Sequence, residues 1–181
     1  MSQSTQAKVW FNGKIVALDK AQVPLLTHSL HYGSAVFEGV RAYKTAQGPA
    51  VFRLQDHVKR LLHSARGMAM PVPYDQKQLE QAILDTVKVN KLDACYIRPI
   101  IWYGNKMGLG PEGADLHVAI AAWAWGKYLG KDGVNVGISS LMRIHPKSSV
   151  MTAKLSGHYS NSILAGLEAK KKGFDEALLL D

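Results

Sequence analysis

Two long apolar runs, at residues 94–103 and 116–123, constrain the fold more than any other feature of the sequence. Mostly apolar runs of this kind are typical of strands that lie buried in a sheet. The segments at 56–68 and 75–91 instead repeat their apolar residues at helical spacing, and they are predicted to be amphipathic helices. Strands and helices therefore occur together, which predicts an α+β fold.

Shorter elements flank this central part. Residues 9–17 alternate loosely around Asn12-Gly13, a pair suited to a tight hairpin turn. The other predicted elements are strands at 50–52, 134–140 and 177–180 and a helix at 159–172. The polar segment 131–133 is predicted to link a first domain, 1–130, to a second that begins at 134. Because the chain ends on a strand, we expect that strand's sheet partners beyond residue 181 and interpret the chain as an N-terminal portion.

The charge and composition restrict the class of protein. Of the 181 residues, 47% are hydrophobic and 20% are charged, which is typical of a globular protein. The net charge of +8 raises the possibility of a non-catalytic basic binding module. However, the basic residues are scattered, and the densest run, at 170–172, falls at a predicted helix end, where cations suit the helix dipole. We therefore predict no nucleic-acid partner.

Several other classes of site are not predicted. Cys95 is the only cysteine, so a disulfide framework is excluded and an intracellular compartment is favoured. No apolar stretch reaches the ~20 residues of a membrane helix, so we predict a cytoplasmic protein without a membrane partner. His28 and His31 lie three residues apart, but Glu38 is the nearest acid, so no metal site is predicted.

Lys154 is the strongest candidate for chemistry. It precedes the predicted helix at 159–172, with N-cap candidates in Ser156, Gly157 and Ser160. Backbone N–H groups at a helix N-terminus disfavour the charged form of a nearby amine and can bind a phosphate. An uncharged lysine amine can attack an aldehyde, and pyridoxal phosphate carries both an aldehyde and a phosphate. Composition alone leaves a plain surface lysine as the alternative.

Five stretches of the chain carry a family resemblance. They are MTAKLSGHY at 151–159 with EAKKKGFDEALLLD at 168–181, LHYGSAVFEGVRAY at 30–43, HVKRL at 57–61 and YIRP at 96–99. These stretches resemble the branched-chain amino acid aminotransferases, which belong to fold type IV of the pyridoxal phosphate enzymes. The resemblance implies a two-domain, D-amino acid aminotransferase-like fold. In it, a small N-terminal α/β sandwich precedes a larger C-terminal domain, of which 134–181 would be the beginning.

The resemblance also implies a cofactor site. Lys154 would bond covalently to pyridoxal 5'-phosphate and later move the substrate Cα proton as base and acid. Arg60 would bind the cofactor phosphate, and Tyr159 would contact the phenolic oxygen. Without the resemblance, Arg60 could be an arginine that covers the edge of the core, and Tyr159 a core tyrosine. None of the 14 acidic residues matches the family glutamate that protonates the pyridine nitrogen.

The substrate-binding residues implied by the resemblance are Tyr32, Phe37, Tyr96, Arg98, Trp125, Tyr128, Met107 and Leu109. Tyr96 would orient the substrate α-carboxylate, and Arg98 would meet the side-chain carboxylate of glutamate. Met107 and Leu109 lie in a loop that reaches a neighbouring subunit's active site in the family, which implies a homodimer or higher homo-oligomer. From the residues alone, the aromatics could be core and Arg98 could form a structural salt bridge.

The implied activity is transamination of leucine, isoleucine and valine with 2-oxoglutarate, giving 2-oxo acids and glutamate. D-amino acid aminotransferase and aminodeoxychorismate lyase share the fold and remain alternatives. The Val36-Phe37-Glu38-Gly39 and Tyr96-Ile97-Arg98-Pro99 stretches favour the branched-chain class.

Overall fold

The computed structural model describes residues 7–126 and 133–181. The helices are α1 (His28–Tyr32), α2 (Leu54–Gly67), α3 (Gln76–Val89) and α4 (Tyr159–Lys171). The strands are β1 (Lys8–Phe11), β2 (Lys14–Ala17), β3 (Ala35–Phe37), β4 (Val40–Thr45), β5 (Gly48–Val51), β6 (Cys95–Tyr103), β7 (Leu116–Trp123), β8 (Val136–Met142) and β9 (Glu176–Leu180). The two amphipathic helices and the two long strands predicted from the sequence are confirmed, and so is the α+β class.

A seven-stranded antiparallel sheet organises the first part of the chain. Its order is β2-β1-β7-β6-β4-β5, and β3 pairs with the same edge of β6 as β4 does. The β1–β2 hairpin turns at Asn12 and Gly13, both with positive φ, as the Asn-Gly pair predicts. The central strands β6 and β7 pair over their full lengths, from Tyr96↔Trp123 to Tyr103↔Leu116.

Helices α2 and α3 cover one face of this sheet, called here the inner face. Side chains alternate along a strand, so every second residue of β6 points to these helices. The inner-face core includes Ile97 and Ile101 of β6, Val118 and Ile120 of β7, Leu61 of α2, and Leu79 and Ile83 of α3. All of these are 0–1% exposed, and they form one continuous apolar core.

The second part of the chain contains β8, β9 and α4. Strands β8 and β9 pair in parallel, and α4 connects them as a crossover. Glu168 of α4 anchors this unit, because its carboxylate accepts hydrogen bonds from Lys172 Nζ, Ser139 Oγ and the Ser140 amide. These bonds lower the pKa of Glu168 to about 2, and the bond from Lys172 makes the largest contribution. The expectation that the final strand lacks a partner within the chain is wrong, since β8 pairs with one of its edges.

Two further predictions meet different outcomes. The N-cap role predicted for Ser156, Gly157 and Ser160 is wrong: a 3-10 turn, Ser156–His158, precedes α4, and the N-cap residue of α4, His158, makes no side-chain capping bond. Ser160 Oγ instead donates back to the Gly157 carbonyl. The domain boundary at 131–133 falls largely outside the described residues and stays a prediction.

Candidate active site

The Lys154 segment is anchored through its backbone. The Lys154 amide donates to Ser64 Oγ at 2.9 Å, and the Lys154 carbonyl accepts from the Phe37 amide at 3.2 Å. Ser64 is fully buried in α2 and donates in turn to the Arg60 carbonyl at 2.9 Å. Leu155 adds an isolated bridge to Val36 of β3. The segment is therefore fastened to a helix and to a strand of the first part of the chain.

The Lys154 amine lies among aromatic groups. Its Nζ donates a hydrogen bond to Tyr159 Oη, and it is 4.9 Å from the centre of the Phe37 ring and 5.0 Å from that of Tyr159. The rings of Phe37 and Tyr159 are themselves 4.9 Å apart. The amine and the two ring centres thus form a nearly equilateral triangle, so both rings lie on the same side of the amine.

A cavity of about 260 Å³ opens beside this amine. It is lined by Arg60, Arg143, Met151, Thr152, Ala153, Lys154, Leu155, His158, Tyr159 and Ser162. The pKa of His158 is lowered mainly by burial and, to a smaller extent, by the charge of Arg143. The described lining thus carries two guanidinium groups and an amine but no carboxylate, and such a cavity favours an anion.

Arg60 reaches the cavity from α2 while paired with a buried acid. Its Nε and Nη2 contact the two carboxylate oxygens of Glu38 at 2.5 and 2.7 Å. The hydrogen bond from Arg60 to Glu38 raises the pKa of Arg60. Sequence reasoning missed Glu38 as a member of the site, although an acid inside an apolar stretch, between Phe37 and Gly39, signals a buried partner.

The face of the sheet away from α2 and α3, called here the outer face, continues the site. Arg98 lies with its guanidinium carbon 4.4 Å from the centre of the Phe37 ring, and its Nη2 donates to Tyr96 Oη at 2.9 Å. The Tyr96 ring is 4.8 Å from that of Trp125. No ion pair of Arg98 occurs among the described residues, so the structural salt bridge considered as its alternative is not formed there.

Gly39 gives the Tyr96 hydroxyl its space. A Cβ atom at position 39 would lie 2.4 Å from Tyr96 Oη, which is closer than real contacts allow. Position 39 was not predicted to belong to the site. The contact joins strands that are far apart in sequence, so no local pattern could have shown it.

The predicted site residues therefore divide into groups. Five of them form a series of contacts, which runs from Lys154 through Phe37 and Arg98 to Tyr96 and Trp125. Arg60 and Tyr159 line the cavity together with Lys154. The structure does not bring Tyr32, Met107 and Leu109 to this cavity. Tyr128 lies outside the described residues.

Tyr32 instead contacts the glycine-rich loop at 104–112, which contains Met107 and Leu109. Its Oη accepts from the Gly108 amide at 3.3 Å, and its ring is 4.6 Å from that of buried His28. His28 Nε2 lies 3.3 Å from the Leu109 carbonyl. Leu109 itself is 83% exposed. The loop is thus tied to α1 through its backbone, while its apolar side chain projects outward.

Neither a metal site nor a membrane-spanning helix occurs among the described residues. The described part of the chain contains no group of three or more His, Cys, Asp and Glu side chains that could hold a metal ion. Within 7–126 and 133–181, every helix is too short or too polar to span a lipid bilayer.

Known proteins resemble this chain in sequence. The branched-chain-amino-acid aminotransferase of Pseudomonas aeruginosa is 47% identical over 178 residues, and that of Escherichia coli K12 is 40% identical over 180 residues. Each alignment covers 96% of this chain but 58% of the relative. The chain therefore spans less than two thirds of the length of these relatives.

Solved structures are similar as well. The T.th. branched-chain amino acid aminotransferase, in complex with N-(5'-phosphopyridoxyl)-L-glutamate, superposes with a TM-score of 0.93 at 45% identity, covering 99% of this chain and 60% of that one. The E. coli enzyme gives a TM-score of 0.94 at 40% identity, covering 97% and 60%. The family model for class IV amino-transferases matches residues 35–181. With that match over most of its length, this chain belongs to the class IV aminotransferase family.

Proposed function

We propose that this chain forms part of an enzyme that transfers amino groups between branched-chain L-amino acids and 2-oxoglutarate, with pyridoxal 5'-phosphate as cofactor. The observation that carries the proposal is the Lys154 amine, hydrogen bonded to Tyr159 beside a cavity lined by Arg60 and Arg143. The relatives at 40–47% identity, which are branched-chain-amino-acid aminotransferases, support this choice of substrates.

The residues of the cavity fit the proposed cofactor. A phosphorylated aldehyde needs an amine at one end and fixed cations at the other, and the described lining supplies both without a competing carboxylate. Lys154 would bond to the aldehyde, Arg60 would bind the phosphate, and Tyr159 would face the phenolic oxygen. When bound, pyridoxal phosphate supplies a ring that spreads negative charge from the substrate Cα.

Lys154 would perform two kinds of chemistry in turn. As a neutral amine, Nζ would hold the cofactor through its aldehyde carbon, with the aldehyde oxygen lost as water. A substrate amine bonded to that carbon in its place would leave Nζ as a free amine. Nζ would then accept the Cα proton and donate a proton to the former aldehyde carbon of the cofactor. The Tyr159 hydroxyl, as hydrogen-bond partner, keeps the amine close to this position between steps.

The outer face would bind the substrate. Tyr96 Oη, already held by Arg98, would contact the α-carboxylate, and the Arg98 guanidinium would receive the second carboxylate of glutamate. Phe37 and Trp125 would surround an aliphatic side chain. Arg98 also lies against the Phe37 ring, so one pocket would present both an apolar wall and a cation.

A homo-oligomer is proposed on the strength of exposed apolar residues. Leu25, Leu26, Leu30, Met107 and Leu109 are all 47–83% exposed. Side chains of this kind are typical of interfaces. Leu109→Asp in the full chain should convert the oligomer to smaller species in sedimentation velocity, whereas the control Lys14→Asp, a surface substitution, should not. An unchanged sedimentation coefficient for Leu109→Asp would argue against this part of the proposal. The cytoplasmic location and the two-domain division stay predictions.

Chemical trapping tests the cofactor assignment. The protein is incubated with pyridoxal 5'-phosphate and reduced with borohydride, and the labelled peptide is identified by mass spectrometry. We expect the label on Lys154 in the wild type and none in Lys154→Ala. The matched control is Lys147→Ala, which removes a neighbouring exposed lysine and should leave labelling of Lys154 intact. A label confined to other lysines would contradict the proposal.

A substrate panel tests the reaction itself. Amino transfer from L-leucine, L-isoleucine and L-valine to 2-oxoglutarate should exceed transfer from D-alanine, and aminodeoxychorismate should not be cleaved. Preference for the D-amino acid, or cleavage of aminodeoxychorismate, would move the protein to one of the other two activities of the fold.

A further inference from the structure

Glu38 is a fully buried carboxylate in the gap between two strands. Strands β3 and β4 pair with the same edge of β6, and Glu38 and Gly39 are the residues between them. The Glu38 amide donates to the Pro99 carbonyl at 2.9 Å, so its backbone is fastened to the sheet. The residue is 0% exposed. A buried charge is costly unless it is paired and hydrogen bonded, so its partners explain its position.

The side-chain partners of the Glu38 carboxylate come from one helix, α2, while the Gly39 amide donates to Oε2 at 3.3 Å. Besides the two contacts with Arg60, His57 Nδ1 donates to Glu38 Oε2 at 2.8 Å. His57 and Arg60 are three residues apart in α2 and therefore lie on one face of it. Burial alone would raise the pKa of Glu38, but the hydrogen bonds from Arg60 and His57 outweigh burial and lower it. The carboxylate is thus the anionic centre of a three-residue cluster.

This cluster determines how Arg60 can face the cavity. The contacts with Glu38 use Nε and Nη2, and a two-point contact with a carboxylate holds the guanidinium in one plane. Nη1 makes no hydrogen bond with a described residue. The Arg60 side chain is 51% exposed, so without Glu38 its outer end would have many rotamers available.

We infer that Glu38 is a positioning residue, which orients Arg60 so that the cavity prefers a phosphorylated aldehyde to the same aldehyde without phosphate. The inference rests on the proposed function. The same carboxylate has a second effect of opposite sign, because its negative charge repels a phosphate. If the orientation of Arg60 is the larger effect, loss of the carboxylate weakens phosphate binding. If the repulsion is the larger effect, the same loss strengthens it.

The test compares pyridoxal 5'-phosphate with pyridoxal. Both carry the aldehyde, so dissociation constants are measured by the absorbance change on reaction with the apo form of the full-chain protein. For Glu38→Gln, the preference for pyridoxal phosphate over pyridoxal should fall about tenfold, the loss of roughly one charged hydrogen bond. Affinity for pyridoxal itself should stay unchanged. A purely structural role would weaken both aldehydes alike and overturn the inference, as would an unchanged or increased preference.

Further variants keep the test decisive. Glu38→Asp keeps the charge but is too short to reach both donors of Arg60, so it should lower the preference by a smaller factor and serves where Glu38→Gln fails to fold. Asp56→Asn is the matched control, because it breaks an exposed carboxylate–arginine pair on the same helix. It should change neither affinity. If the wild type reacts with neither aldehyde at Lys154, the proposed function fails; if it reacts and Glu38→Gln keeps the wild-type preference, only the role of Glu38 fails.

Discussion

The two faces of the seven-stranded sheet use the same strands for different purposes. On β6, Ile97 and Ile101 point to α2 and α3 and are fully buried, while the neighbouring Tyr96 and Arg98 point to the outer face and are partly exposed. Packing on the inner face stabilises the fold, whereas the outer face holds polar and aromatic groups beside Lys154. The alternation of a strand thus lets one segment supply both the core and the site, so substitutions one residue apart should have separable effects.

The largest effect is expected for the amine itself. Lys154→Ala should reduce turnover with leucine by about 10²–10⁴-fold or more, because a proton-transfer group of this kind contributes that much. The Lys154 backbone bonds to Ser64 and Phe37 do not need the side chain, so the midpoint of thermal unfolding should stay close to that of the wild type. Steady-state kinetics and calorimetry of the same samples check this pair of expectations. Substantial turnover in Lys154→Ala would remove Lys154 from the mechanism.

The inner face should show the opposite behaviour. Ile97→Ala should lower the free energy of unfolding by about 2–5 kcal/mol through lost burial and a cavity. Activity per folded molecule should be retained, since the side chain points away from Arg98. Urea unfolding measures the first quantity. Ile15→Ala, at a partly exposed position of β2, is the control and should cost less. Equal losses in the free energy of unfolding for the two variants would contradict the expectation that burial determines the cost.

An outer-face substitution should act on substrate choice. Arg98→Met should raise KM for glutamate by about 10–100-fold, the loss of a charged hydrogen bond, and change KM for leucine much less. Arg66→Met, on the exposed side of α2, should alter neither value. A uniform loss for both substrates would show that Arg98 supports the pocket as a whole and does not select a carboxylate.

The smallest effect is expected at Gly39, which lies between β3 and β4 against the Tyr96 hydroxyl. Gly39→Ala would force the Tyr96 hydroxyl to move, at a cost of about 1–3 kcal/mol from overpacking, and should raise KM severalfold. Gly166→Ala is the control, because no atom lies within 4 Å of the added Cβ. In the middle of α4, that change should stabilise the helix by about 0.5–1 kcal/mol. KM values that stay at the wild-type level in Gly39→Ala would mean that Tyr96 tolerates displacement.

Most of the secondary structure could be predicted because it depends on local patterns. The hairpin at Asn12-Gly13, the α2 and α3 helices and the β6 and β7 strands all follow from residue spacing over a few turns or pleats. The N-cap of α4 could not be predicted, because several small polar residues compete there and the chain forms a 3-10 turn instead. The pairing of β8 with β9 depends on a crossover that spacing alone does not show.

Local residue patterns by themselves determined the α+β class, the hairpin and long strands of the sheet and the family motif around Lys154, because each pattern lies within a short stretch of chain; β3 and β4 were not predicted. Only the tertiary structure decided which groups surround that lysine. The contact between Glu38 and Arg60 spans 22 positions, and that between Ser64 and the Lys154 amide spans 90. Such contacts form when the strands and helices pack, so they depend on the whole fold and not on neighbouring residues.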